Sequence, residues 1–254
     1  MAEAVVAGLH RVEEVMGVPV GIDVRDAEPD PAALDSAFAC LRRIDATFST
    51  YRSGSDISRL DAGTLDLADA HPDVRDVLDR CGDLRARTDG LFDAKATGRL
   101  DPSAFVKGWA VDRAVAILVA AGARNLCIHA GGDVRVRGER EPGRPWRIGV
   151  QHPLRRNRIA AVLAARDLAI ATSGAYERGA HIVDPRSGRP PEGVLSVTIA
   201  GPELGTADAY ATAAFAMGPD GPAWTATLDG YEALTILQDG RVLSTPGMAA
   251  LRMD

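Results

Sequence analysis

The sequence predicts an α+β fold, a single compact domain in which packed helices cover a largely antiparallel sheet. Helical-period segments fill most of the first half of the 254 residues and short β-type runs fill most of the second. The two kinds do not alternate strictly, as a doubly wound parallel sheet would require. No linker, repeat or low-complexity tract divides the chain.

The opening reads as two strands at about 8–16 and 18–25, separated by Gly17. Asp30-Pro31 then starts a helix in which Leu34, Ala37, Phe38, Leu41, Ile44 and Phe48 recur at three- and four-residue intervals, making one apolar face. A polar loop is expected over 49–63. A second helix at about 72–88, with Val74, Val77, Leu78, Cys81 and Leu84, ends at Asp89-Gly90. The third, about 104–121, follows Asp101-Pro102-Ser103 and is apolar on most faces, which predicts the central buried helix. Gly122 ends it. β-type runs follow at 125–129, 134–137, 146–150, 160–164, 168–172, 181–184 and 195–200, punctuated by Gly, Pro and Arg clusters. Helices at about 207–217 and 222–228 and a strand at 231–237 complete the chain.

Composition excludes several classes. The chain is 46% hydrophobic, as a folded globular protein is, and its formal charge of −6 argues against recognition of nucleic acid or an anionic bilayer by overall charge. Its most apolar run, 114–123, is about half of the roughly 20 residues a membrane-spanning helix needs, so no spanning segment is expected. The first fifteen residues mix apolar groups with Glu3, Arg11, Glu13 and Glu14, unlike a secretory signal, and the expected location is cytoplasmic. Cys40, Cys81 and Cys127 are odd in number and widely spaced, which suits neither a disulfide framework nor a zinc site. Only two of the 29 Lys and Arg residues are Lys, at 95 and 107, so each marks a place where a compact ammonium could do what a guanidinium cannot.

No G-x-x-x-x-G-K, G-x-G-x-x-G, G-x-S-x-G or H-E-x-x-H occurs. Chemistry-bearing residues sit instead in Gly- and Asp-rich turns. Asp208 and Thr212 are four apart on an expected helix, so carboxylate and hydroxyl share a face and could both reach a hard cation such as Mg²⁺; alternatively Asp208 favours the positive end of its helix and Thr212 packs. Asp101, Ser103 and Lys107 gather at the start of the buried helix, where free N–H groups and an ammonium suit a pyrophosphate; otherwise Ser103 is a cap and Lys107 is solvated. His181, in a turn beside Asp184 and Arg186, could act as a general base, or be structural.

In order along the chain, Met16-Gly17, residues 49–60, Gly90-Leu-Phe-Asp93, Asp101-Pro-Ser-Ala-Phe-Val-Lys-Gly-Trp-Ala-Val-Asp112, Gly131-Gly-Asp133, Thr172-Ser-Gly174, His181-Ile-Val-Asp-Pro-Arg-Ser-Gly188 and Ala207-Asp-Ala-Tyr-Ala-Thr212 resemble the ApbE-type flavin transferase family. The resemblance implies a two-lobed α+β fold, T-fold-like, that binds FAD and uses Mg²⁺ to move FMN onto a Thr or Ser hydroxyl of an acceptor flavoprotein, releasing AMP. Carried over by position, Asp208 and Thr212 with the carbonyls of Ala104 and Ala211 form the metal site. Met16, Tyr51, Phe92, Asp93, Asp101, Lys107 and Ser173 are FAD contacts, and His181 with Asp208 is catalytic. Val18, Ser103 and Lys95-Ala96 depart from the family pattern, and seven residues between Asp93 and Asp101 make a compact version. An FAD pyrophosphatase giving FMN and AMP, or a non-catalytic flavin-binding module, would use the same residues.

Overall fold

The computed structural model describes residues 8–174 and 182–253. In chain order, β1 (Leu9–Val15) and β2 (Val18–Val24) form a hairpin, followed by helices α1 (Pro31–Phe48), α2 (Asp56–Asp61), α3 (Pro72–Arg87) and α4 (Ser103–Ala120). Strands β3 (Leu126–Ala130), β4 (Asp133–Arg137), β5 (Trp146–His152), β6 (Arg155–Ala165), β7 (Ala169–Gly174) and β8 (Val194–Gly201) come next. Then follow α5 (Leu204–Ala216), α6 (Gly221–Thr225), β9 (Glu232–Leu237), β10 (Val242–Ser244), α7 (Pro246–Leu251) and β11 (Arg252–Met253).

Among the described residues the main sheet has the order β1-β2-β3-β4-β7-β8-β9-β10, antiparallel throughout, and a smaller sheet has the order β11-β6-β5. The alternation of strands sorts their side chains into two cores. Ala169, Ala171, Val197 and Ile199 face the helices with Phe38, Leu41, Phe105 and Leu118, whereas Ile170, Ala200, Leu234 and Ile236 face the small sheet with Trp146, Val150, Leu163 and Met248. The expected α+β class with a large antiparallel sheet is therefore the one observed.

Helix boundaries follow local chemistry. Asp30 caps α1 by accepting from Ala32 N at 2.8 Å, with Pro31 in the first turn. The expected polar loop at 49–63 contains α2, whose single-turn anchor is buried Ile57 and whose cap is Ser55 Oγ, accepting from Ser58 N at 3.1 Å. Six residues are too few for periodicity to register. The strand expected over 181–184 does not form: His181 lies outside the described residues, Ile182 and Val183 are irregular, and Asp184 makes only an isolated bridge to Arg189. Turn chemistry wins there, because Pro185 lacks a donor and the Asp184 carbonyl accepts from Gly188 N at 2.8 Å.

Candidate active site

One end of the main sheet is built from tight turns. The β1–β2 and β3–β4 hairpins both close on two residues at positive φ, Met16 (57°) with Gly17 (70°) and Gly131 (54°) with Gly132 (97°), the turn geometry that matches strand twist. The turns touch, since a Cβ on Gly131 would lie 2.9 Å from Val18 Cγ1. Left-handed backbone is unusual for methionine and costs about 1 kcal/mol, so Met16 is held at the tip against local preference.

Gly131-Gly132 delivers Asp133 at the start of β4. Its carboxylate is 1% exposed; Oδ1 accepts from Thr172 N of β7 at 3.1 Å, and Oδ2 is ion-paired with Lys107 of α4. Lys107 Nζ also lies 3.1 Å from Oδ2 of Asp208, which α5 buries to 5% exposure. One turn further along α5, Thr212 Oγ1 is 3.3 Å from Ser173 Oγ on β7. An ammonium, two buried carboxylates and two hydroxyls thus converge from α4, β4, α5 and β7.

The helix crossing makes this convergence possible. A Cβ on Gly108 would lie 2.5 Å from Leu204 O, and one on Gly205 would lie 3.1 Å from Trp109 N, so the two glycines let α4 and α5 meet backbone to backbone. Asp112, one turn beyond Gly108, completes the junction. Its Oδ2 accepts from Leu204 N at 2.8 Å and Gly205 N at 3.1 Å, the free donors at the start of α5, while Oδ1 lies 3.3 Å from Arg135 Nε. Burial pushes the Asp112 carboxyl up to about 6, against the pull of those N–H groups and Arg135.

The remaining sequence-assigned residues are spread around this centre. Asp101 starts α4, its Oδ1 accepting from Ser103 N at 3.0 Å, and its own N–H donates to Ala94 O at 2.7 Å. Asp93 accepts from Arg85 Nε at 3.0 Å and from Lys95 N at 2.8 Å. Together they close the short 93–101 segment beside a cavity of about 380 Å³ lined by Leu60, Leu78, Cys81, Arg85, Asp93 and Leu100. Phe92 is buried in the helical core. Tyr51 is 98% exposed in the loop after α1, whose last residue, Phe48, stacks edge-on with Trp109 at 5.8 Å. Ala104 is half-buried in the first turn of α4, and Ala211 is buried within α5. Both carbonyls sit in regular helix, each with a helical donor, and would offer a cation their second lone pair. His181 lies outside the described residues.

Sequence reasoning did not assign Asp133 or Asp112 to the site. The signals were present: a buried helix bearing Lys107 needs a counter-charge, and a Gly-Gly-Asp turn is a place to hold one.

The donor set fits a hard cation. Asp208, Thr212 and Ser173 offer only oxygen, the donor type a hard cation takes. Among the described residues no three His, Cys, Asp or Glu side chains are placed to hold a metal together, so water and ligand oxygens would complete the shell, as is usual for Mg²⁺.

Fold and site together define an antiparallel α+β protein with an oxygen-rich, lysine-bearing cluster whose chemistry suits a metal and a phosphate. The chain belongs to the ApbE family, whose model matches residues 16–97 and 94–235. It is 38% identical over 161 residues to an FAD:protein FMN transferase of Rhodobacter capsulatus, a match taking in 60% of this chain and 31% of that one. A Vibrio cholerae protein of the same name is 36% identical over 131 residues, 48% of this chain and 39% of its own. The chain thus spans about a third of the length of these curated relatives. Its fold is that of the ApbE protein of Thermotoga maritima, at TM-score 0.87 and 23% identity over 98% of this chain and 100% of that one. The flavin transferase ApbE from Vibrio cholerae superposes at TM-score 0.84 and 23% identity, over 96% and 99% of the two chains.

Proposed function

We propose that residues 1–254 act as a single FAD:protein FMN transferase domain, moving FMN from FAD to a Thr or Ser hydroxyl of an acceptor protein with release of AMP in an Mg²⁺-dependent reaction. The observation that carries this reading is the Lys107 ammonium held between two buried carboxylates, next to two hydroxyls, in a chain of the ApbE family. The names of the relatives support it. Asp208 and Thr212, with the carbonyls of Ala104 and Ala211, would hold Mg²⁺, which when bound offsets charge on the pyrophosphate.

The protein's own groups do the rest. Asp133 orients Lys107, whose ammonium offsets charge building on the phosphoryl oxygens. Lys107 and the positive end of α4 take the pyrophosphate, and Met16, Tyr51, Phe92, Asp93, Asp101 and Ser173 contact the rest of FAD. The acceptor oxygen attacks the FMN-side phosphorus in line; a phosphoester bond forms, the P–O bond to AMP breaks, and AMP leaves with the bridging oxygen. The hydroxyl proton passes to a base, for which His181 is the candidate. The same reading places the protein in the cytoplasm, which fractionation tests.

Mass spectrometry of the protein incubated with FAD and a Thr-containing peptide, with Mg²⁺ or a chelator, tests the reading. AMP and a flavin-bearing peptide are expected with metal alone. AMP with free FMN would replace it by a pyrophosphatase, and intact FAD by a binding module.

A further inference from the structure

Along the second half of β6 half-buried and buried residues alternate, but residues 155–159 are all exposed, so both faces of that stretch lie in solvent. The outer end of the β5–β6 hairpin is an arm that leaves its core at Val150 and Ala161, with Pro153 of its turn buried. Its register breaks sharply. His152 pairs with Arg155 across the Pro153-Leu154 turn, yet the next pair is Gln151 with Ile159, which leaves Arg156, Asn157 and Arg158 bulged out of the ladder. The bulge is fixed, because Gln151 Nε2 donates to the Arg156 carbonyl at 2.7 Å, and bulges of this kind re-aim side chains.

The arm carries charge opposite to that of the whole chain. No Asp or Glu occurs from Pro142 to Arg166, a stretch with six arginines in a protein of net charge −6. Arg144 and Arg166 pair with Glu141 and Glu139, whereas Arg147, Arg155 and Arg158 make no ion pair among the described residues. At the turn itself Leu154 is 69% exposed, and Ile159 is 57% exposed at the base of the bulge.

We propose that this arm docks the protein on an anionic lipid bilayer, Leu154 entering the interface and Arg155 and Arg158 meeting lipid phosphates. The order of groups, apolar tip and then guanidinium collar, is the order of depth in a bilayer, acyl region below headgroup phosphate. An exposed leucine flanked by exposed arginines needs no preformed concavity to enter a soft surface. Guanidinium groups bind phosphate oxygens in pairs. The acidic body is repelled by the same surface, so contact is made arm first. This inference stands independently of flavin transfer.

Cosedimentation with phosphatidylcholine vesicles, with and without phosphatidylglycerol, is the test. The protein is expected on the phosphatidylglycerol vesicles and not on the neutral ones, and to dissociate as salt rises. Each arginine near such a surface contributes about fivefold, so Arg155→Ala and Arg158→Ala together should weaken binding about thirtyfold. Leu154→Ser should weaken it at all salt concentrations. All these side chains are exposed, and unchanged circular dichroism confirms that the variants fold. Equal binding to both vesicle types, or a double arginine variant that binds as tightly as the parent, overturns the proposal. Binding to polyglutamate without binding to vesicles overturns it in favour of an acidic protein partner.

Discussion

Two half-buried charged groups, Lys107 and Asp112, hold the site together from a single helix, and they do so in different ways. Lys107 is ion-paired with both the Asp133 and the Asp208 carboxylates. Lys107→Met leaves two buried carboxylates facing each other, and a loss of about 3 kcal/mol in urea unfolding is expected, together with weaker FAD binding. Unchanged stability would mean that the carboxylates find other partners. Asp112 acts through α5. Because burial raises its carboxyl from 3.8 to about 6, the folded protein takes up this proton at a higher pH than the unfolded chain does. Its contribution to stability is therefore complete below about pH 4 and is lost as pH rises through 6, to a total of about 3 kcal/mol. Between pH 7 and pH 5 the protein should gain about 1 kcal/mol relative to Asp112→Asn. Parallel pH profiles of the two proteins would show that Asp112 titrates normally.

At the scale of elements, the crossing of α4 and α5 decides whether the site exists. Gly108→Ala improves helix propensity by about 1 kcal/mol, but its methyl would lie 2.5 Å from the Leu204 carbonyl oxygen. The helices must part, and a net loss of about 2 kcal/mol in thermal unfolding is expected, with Mg²⁺ affinity falling as Asp208 moves from Lys107. A variant that melts and titrates like the parent would show that the contact can relax locally. Helices α1 and α3 were legible in the sequence because a first-turn proline and apolar spacing agreed at each, and α4 because it follows Asp101-Pro102 and is apolar on most faces. What joins them was not, since neither Gly108 nor Gly205 announces its partner. The six-residue α2 and the Arg-rich start of β6 were missed for a related reason. One has a single buried anchor and the other none, so neither shows the periodicity that burial imposes.

For the molecule as a whole, the sheet separates a core that carries the site from a core that only supports it. Leu163 and Met248 lie fully buried on the far side, against Trp146, Val150 and Ile236. Leu163→Ala should cost about 3 kcal/mol of stability while leaving metal and FAD affinity unchanged below the melting transition. Altered affinity would show that the two cores are coupled through the strands. The residues that meet at Lys107 come from four elements spread over more than a hundred positions, from 107 to 212. Order in sequence revealed Asp208 with Thr212, which share a helix, and left Asp133 unassigned, because its role depends on β4 lying beside β7.

The most direct test of the account compares the protein with Asp208→Asn in flavin transfer to a Thr-containing peptide, read as covalent peptide mass, with Mg²⁺ or with a chelator. The variant keeps the shape of the side chain and loses the carboxylate assigned to the metal. Transfer is expected only with Mg²⁺, and about a hundredfold slower in the variant, with FAD affinity within a few-fold of the parent. Equal transfer by the two proteins, or transfer undiminished by the chelator, would contradict the assignment of the reaction to this site.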